Sequence, residues 1–149
     1  MKRLLSLFVF VITLSNISVS AGEDRPIPPD QLPSKVKMFL NTHFPKEPIA
    51  LAKMEKEFLS TEYKIYLVGG NKIEFGKDLE WKEIDCEYTE VPESVVPKKI
   101  NEFIRINYPG KKIVQIEKKD KKRKRYEVEL DNSMEIQFDA NFSVVDIDY

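Results

Sequence analysis

The chain has 149 residues, a third of them charged, with 24 Lys+Arg against 25 Asp+Glu, one His and one Cys. That near-balance leaves no basic surplus for nucleic acid. One Cys excludes an internal disulfide framework, and one His plus one Cys fall short of the roughly four ligands a structural zinc ion takes.

In chain order, Lys2 and Arg3 precede an apolar run from Leu4 to Leu14, followed by Val19-Ser20-Ala21. That layout predicts a signal peptide over 1–21 and hence a periplasmic or secreted protein. The run is shorter than the about 20 apolar residues a bilayer span needs, so the mature chain is not expected to span a membrane. Without Lys2 and Arg3, 22 cationic side chains face 25 acids, a net of −3. Residues 22–31, with Pro26, Pro28 and Pro29, read as an extended, mobile leader.

Val36, Phe39, Leu40 and Phe44 recur at helical spacing behind Pro33 and ahead of Pro45. Tyr63, Ile65 and Leu67 then alternate with polar residues, and Ile73, Phe75 and Ile84 continue an inward face. Gly69-Gly70-Asn71 is turn chemistry between strands. The pattern returns about 64 residues later: Pro33 meets Pro97, Phe39 meets Phe103, Phe44-Pro45 meets Tyr108-Pro109, and Ile84-Asp85 meets Ile147-Asp148. The expectation is an α+β fold of two tandem repeats, 32–86 and 96–149, joined by a connector at 87–95. Each repeat is one helix packed on an antiparallel sheet of about four strands. Units this small are marginal alone, so the two sheets are expected to be continuous or tightly docked.

The pattern Leu-Pro…Phe-Leu…Phe-Pro, then Tyr63-Lys64-Ile65-Tyr66-Leu67 and the stretch from Ile73 to Asp85, resembles the PepSY-like, β-lactamase-inhibitor-like family. The copy from Ile136 to Asp148 fits it too. The resemblance spans about Leu32 to Asp148. It implies a periplasmic or secreted protein of two helix-plus-sheet units, and related PepSY domains are thought to restrain enzymes. It transfers no inhibitory residue. Leu79 and Phe142 stand where the family's hairpins usually carry Gly.

No catalytic constellation emerges, and the chain is read as a non-enzyme with no cofactor and no metal site. His43, at a helix end, suits the negative pole there. Cys86 reads as a small, partly buried side chain, with an intermolecular bridge as the lesser option. Glu83, Asp85, Asp139, Asp146 and Asp148 read as the wet face of a sheet. Two binding features stand out. If Ile65, Leu67, Ile73, Phe75 and Ile84 face the helix, Tyr66 and Trp81 face away, as aromatic anchors for an unknown protein partner. Lys121, Lys122, Arg123, Lys124 and Arg125, in a run that starts at Lys118, form a basic hairpin. The leading function is thus a non-catalytic binding module that inhibits or restrains a protein through its open sheet face. The alternative is an envelope-surface binder whose basic hairpin meets anionic lipid or glycan.

Overall fold

A computed structural model describes residues 23–56, 59–119 and 125–149. The expected signal segment 1–21 and four of the five hairpin cations lie outside them. Nine strands run β1 (Glu23–Ile27), β2 (Ile49–Lys56), β3 (Thr61–Leu67), β4 (Lys72–Phe75), β5 (Trp81–Asp85), β6 (Ile113–Lys118), β7 (Tyr126–Leu130), β8 (Glu135–Phe138) and β9 (Val144–Asp148). Two helices, α1 (Ser34–His43) and α2 (Lys98–Asn107), precede β2 and β6.

This corrects the expected fold class. The chain does not form two repeats of a helix on a four-stranded sheet. All nine strands hydrogen-bond in chain order into one antiparallel sheet, and the helices are two ten-residue segments. The join explains why. Ile84 of β5 lies opposite Ile116 of β6, both fully buried, so the apolar face crosses from strand to strand without a break. Separating them would expose two apolar rows and two edges of unpaired backbone. The leader is also corrected: Glu23–Ile27 is a strand paired with Ala52–Lys56.

Ten-residue helices are marginal alone in water, so packing holds them. α1 starts after Pro33 and buries Val36 and Leu40; α2 starts after Pro97 and buries Ile100 and Ile104. Each ends where an aromatic N–H closes the last turn, Phe44 to Leu40 and Tyr108 to Ile104, both at 2.8 Å. Edge-on ring pairs seat the helices on one face of the sheet: Phe39 on Phe75 at 5.3 Å and Phe103 on Phe138 at 5.5 Å. Among the described residues no helix covers the opposite face.

Hairpins β4–β5 and β8–β9 share a device. In each, one register shift follows the turn, after Phe75↔Trp81 and after Phe138↔Val144. The turns carry Leu79 and Phe142 at φ of 61° and 66°. A non-glycine residue there costs about 1–2 kcal/mol. Apolar packing offsets it: Leu79 lies against the core, and the Phe142 ring stacks on Tyr126 at 5.6 Å.

Candidate functional site

The uncovered face is built by alternation along each strand. Cross-strand pairing then sorts its side chains into rows. One row runs Tyr66, Lys72, Asp85, Gln115, Glu129, Glu135 and Asp148, each directly opposite the next. The neighbouring row runs Lys64, Glu74, Glu83, Glu117, Glu127, Gln137 and Asp146. Neighbouring strands stand about 4.8 Å apart, so acids meet acids at close range, which is unfavourable without cations.

Lysines supply those cations over one part of the face only. Lys64 pairs with Glu55 at 2.8 Å, Lys82 with Glu62 at 2.8 Å, and Lys72 bridges Glu74 and Glu83 at 3.3 and 3.1 Å. Lys119 links Glu117 and Glu127 at 2.5 and 2.9 Å. Across β7, β8 and β9 the row continues as Glu129, Glu135 and Asp148. Among the described residues no Lys or Arg pairs with any of these three. The Glu129 carboxyl is correspondingly pushed above the usual Glu range. Burial is the main cause, followed by the charges of Glu135, Asp85, Glu127 and Glu87. Beside this cluster Gln137 is 8 % exposed; its Nε2 donates to Glu127 at 2.7 Å, and its Oε1 is buried without a partner among the described residues.

Tyr66 is on this face, half-buried, with Lys53 Nζ 5.8 Å from its ring centre. Trp81 is not. It is 8 % exposed and belongs to the core on the helix side. Counting back from Ile84 by strict alternation puts Trp81 outside, but the register shift inserts one extra residue and inverts the count. Lys82 takes the outer position and reaches Glu62, while Trp81 turns inward opposite Phe75. The two proposed anchors therefore lie on opposite faces and cannot form one patch.

On the helix side Trp81 floors a 250 Å³ hollow walled by Met38, Phe39, Thr42, His43 and Leu79. Lys118 Nζ lies 4.0 Å from the Trp81 ring centre. Burial is the main influence on this lysine and lowers its pKa. His43 Nδ1 is 2.8 Å from Ser94 Oγ, and its ring is tilted on Phe39 at 4.5 Å. Burial lowers the His43 pKa, favouring the neutral ring. No described carboxylate orients this pair, so it tethers α1 to the connector. A larger 730 Å³ cleft between α2 and the connector is lined by Glu90, Glu93, Asn101, Arg105 and their neighbours. Cys86 is fully buried, and burial pushes its thiol up to about 12. It is therefore a packed core group. Of the basic hairpin only Arg125 is described. Its backbone donates to Phe138 O at 2.8 Å and accepts from Lys119 N at 2.9 Å. Among the described residues no group of three His, Cys, Asp or Glu side chains could hold a metal ion.

A family model described as "Putative beta-lactamase-inhibitor-like, PepSY-like" matches residues 21–65 and 61–146. The chain belongs to that PepSY-like family. Three crystal structures agree with the assignment. A Bacteroides thetaiotaomicron protein, described as a "putative calcium-regulated periplasmic protein", is 40% identical over 85% of this chain and 97% of its own, with a TM-score of 0.78. A Bacteroides vulgatus "putative periplasmic protein" is 42% identical over 85% of this chain and 98% of its own, also at 0.78. A second from that organism, a periplasmic protein of unknown function, is 30% identical over 85% and 100%, at 0.76. No curated protein is a significant match. This PepSY-like chain is a periplasmic or secreted protein, and no described helix is long and apolar enough to cross a membrane.

Sequence reasoning missed the Glu129–Glu135–Asp148 row and the Ser94 and Lys118 contacts. The strand pattern marked Glu127 and Glu129 as outward. Which acids meet depends on register across three strands, for which the sequence carries no local signal.

Proposed function

We propose that this protein is a non-catalytic periplasmic binding module that holds a basic protein surface against its open sheet face. The observation that carries the reading is the row Glu129–Glu135–Asp148, adjacent across β7, β8 and β9, with Glu129 pushed above its usual range first by burial and then by the charges of its neighbours. Elsewhere on the face lysines hold Glu55, Glu62, Glu74, Glu83, Glu117 and Glu127. Here an incoming Lys or Arg would relieve repulsion that already exists in the folded protein. Such complementarity favours encounter and register with an oppositely charged partner. Restraint of a partner enzyme is the finer form of the reading, and the inhibitor-like description of the family supports it.

The non-catalytic part is supported by the His43–Ser94 pair, which lacks a third group to orient the imidazole. The Bacteroides thetaiotaomicron relative is described as calcium-regulated. The described carboxylates here run in flat rows instead of converging on a point, so they do not fit a dedicated calcium site, and the proposed binding uses none. The test is affinity capture from a periplasmic extract with the wild type and a Glu129→Lys/Glu135→Lys variant. Wild type should retain basic proteins that the variant releases. Retention of the same proteins by both would remove the acidic face from the account.

A further inference from the structure

The edge of the sheet beside the acidic row is itself prepared to accept a strand. Hairpins β4–β5 and β8–β9 have matching registers: Ile73↔Ile84 and Lys72↔Asp85 in the first, Ile136↔Ile147 and Glu135↔Asp148 in the second. Their register shifts match too. In the first hairpin the outer strand β5 goes on to pair with β6, with Ile84 opposite Ile116 and Cys86 N–H donating to Val114 O at 2.7 Å. Backbone groups alternate in direction along a strand, so Ile84 presents its N–H and C=O to β6 as Cys86 does. β9 is the last strand of the sheet, and among the described residues nothing pairs with its outer side. Ile147, the match of Ile84, turns its backbone outward there. Its N–H is held by Asp146 Oδ1 at 3.2 Å, a side chain standing in for a ladder carbonyl.

We infer that the outer edge of β9 takes an extended segment of the partner as a tenth strand, with Lys or Arg at alternate positions facing Asp146 and Asp148. This rests on the open-face reading and names where on that face the partner enters. In the template pairing, Gln115 lies opposite Asp85 and Glu117 opposite Glu83. Transferred to β9, those two positions face Asp148 and Asp146, and the residue between them meets Ile147. A segment reading basic–apolar–basic therefore satisfies both faces while its backbone completes the ladder. A second copy fits less well. Two β9 edges would bring Asp146 and Asp148 of each chain together, and the β1 edge offers Asp24 and Pro26, which has no N–H.

The experiment uses the ¹⁵N-labelled protein and three synthetic octapeptides. The first is residues 112–119 with Gln115→Lys and Glu117→Lys. The second is the unsubstituted segment. The third is the first peptide N-methylated at position 116, which keeps its charge but cannot donate to Ile147 O. The lysine peptide should slow exchange of the Ile147 amide by about tenfold at saturation. The unsubstituted segment should bind more weakly, and N-methylation should weaken binding about fivefold. Shifts at Glu129 and Glu135 without protection of Ile147 would overturn the edge while leaving the open face standing. An N-methylated peptide that binds as well as its parent would likewise overturn it. No shift anywhere would overturn both. Protection of Ile147 that grows with protein concentration alone, together with a dimer in sedimentation, would give the edge to a second copy and overturn the inference.

Discussion

Replacing Trp81 by Ala distinguishes a core residue from a surface anchor, the two roles between which sequence and structure disagree. Trp81 is 8 % exposed, packed opposite Phe75 and beneath α1. A buried aromatic removes about 150–250 Å² from water, which at about 25 cal/mol per Å² is roughly 4–6 kcal/mol. That is an upper estimate, because an unfolded chain already hides part of its apolar surface. Core Trp→Ala substitutions cost about 3–5 kcal/mol, and Trp81→Ala is expected near the lower half of that range. The Lys118 ammonium would also lose the ring beneath it, worth about 0.5–2 kcal/mol. Urea unfolding followed by circular dichroism measures the cost. Trp81 is the only tryptophan, so wild-type fluorescence adds an independent reading: emission should be blue-shifted and resist iodide quenching until the protein unfolds. A cost below about 1 kcal/mol, typical of surface substitutions, together with free quenching would refute the inward placement.

Asn71 is buried, donating to both Glu47 oxygens at 2.8 Å and accepting from Thr89 at 3.0 Å. Asn71→Ala should destabilise by about 2–3 kcal/mol in urea, because a part-buried carboxylate is left without its donor. Ser133 is exposed at φ 63°, so Ser133→Gly should stabilise by about 0.5 kcal/mol, and a loss of stability would show that its side chain holds the turn. Two groups set opposite pH trends. Glu129 has a raised folded pKa, so its contribution is complete below the ordinary Glu range and is lost as pH rises through the folded value. Glu129→Gln should therefore raise stability at neutral pH relative to wild type and remove the component of the profile that falls as pH rises through the acid range. His43 has a lowered folded pKa, so its contribution is present above its ordinary 6.5 and is lost as pH falls. His43→Gln should remove that decline, with the midpoint of urea unfolding read at successive pH values.

Much of the secondary structure was legible because it rests on local periodicity. Val36 and Leu40 mark one helix and Ile100 and Ile104 the other, and both pairs are buried as their spacing implies. Ile65, Leu67, Ile73 and Phe75 face the core as strict alternation requires. What failed depended on pairings between distant segments. The sheets were expected to be continuous or tightly docked, and the choice between these hangs on Ile84 meeting Ile116, a contact no local pattern records. β1 forms because Glu23–Ile27 finds the far side of β2, and its prolines read as a leader until that edge is known. Trp81 was misplaced by one inserted residue, since alternation has no memory of a bulge. At the candidate site Tyr66 was placed on the right face, but the acids that distinguish this surface come from three strands and meet only through register.

The most direct test of the central claim is the salt dependence of partner retention on the immobilised protein. The acidic face predicts that a basic periplasmic protein held at about 0.05 M salt is released by about 0.5 M, as exposed charges become screened. Glu129→Lys/Glu135→Lys should fail to hold it at either concentration. Retention unchanged by salt and by charge reversal would contradict binding through Glu129, Glu135 and Asp148.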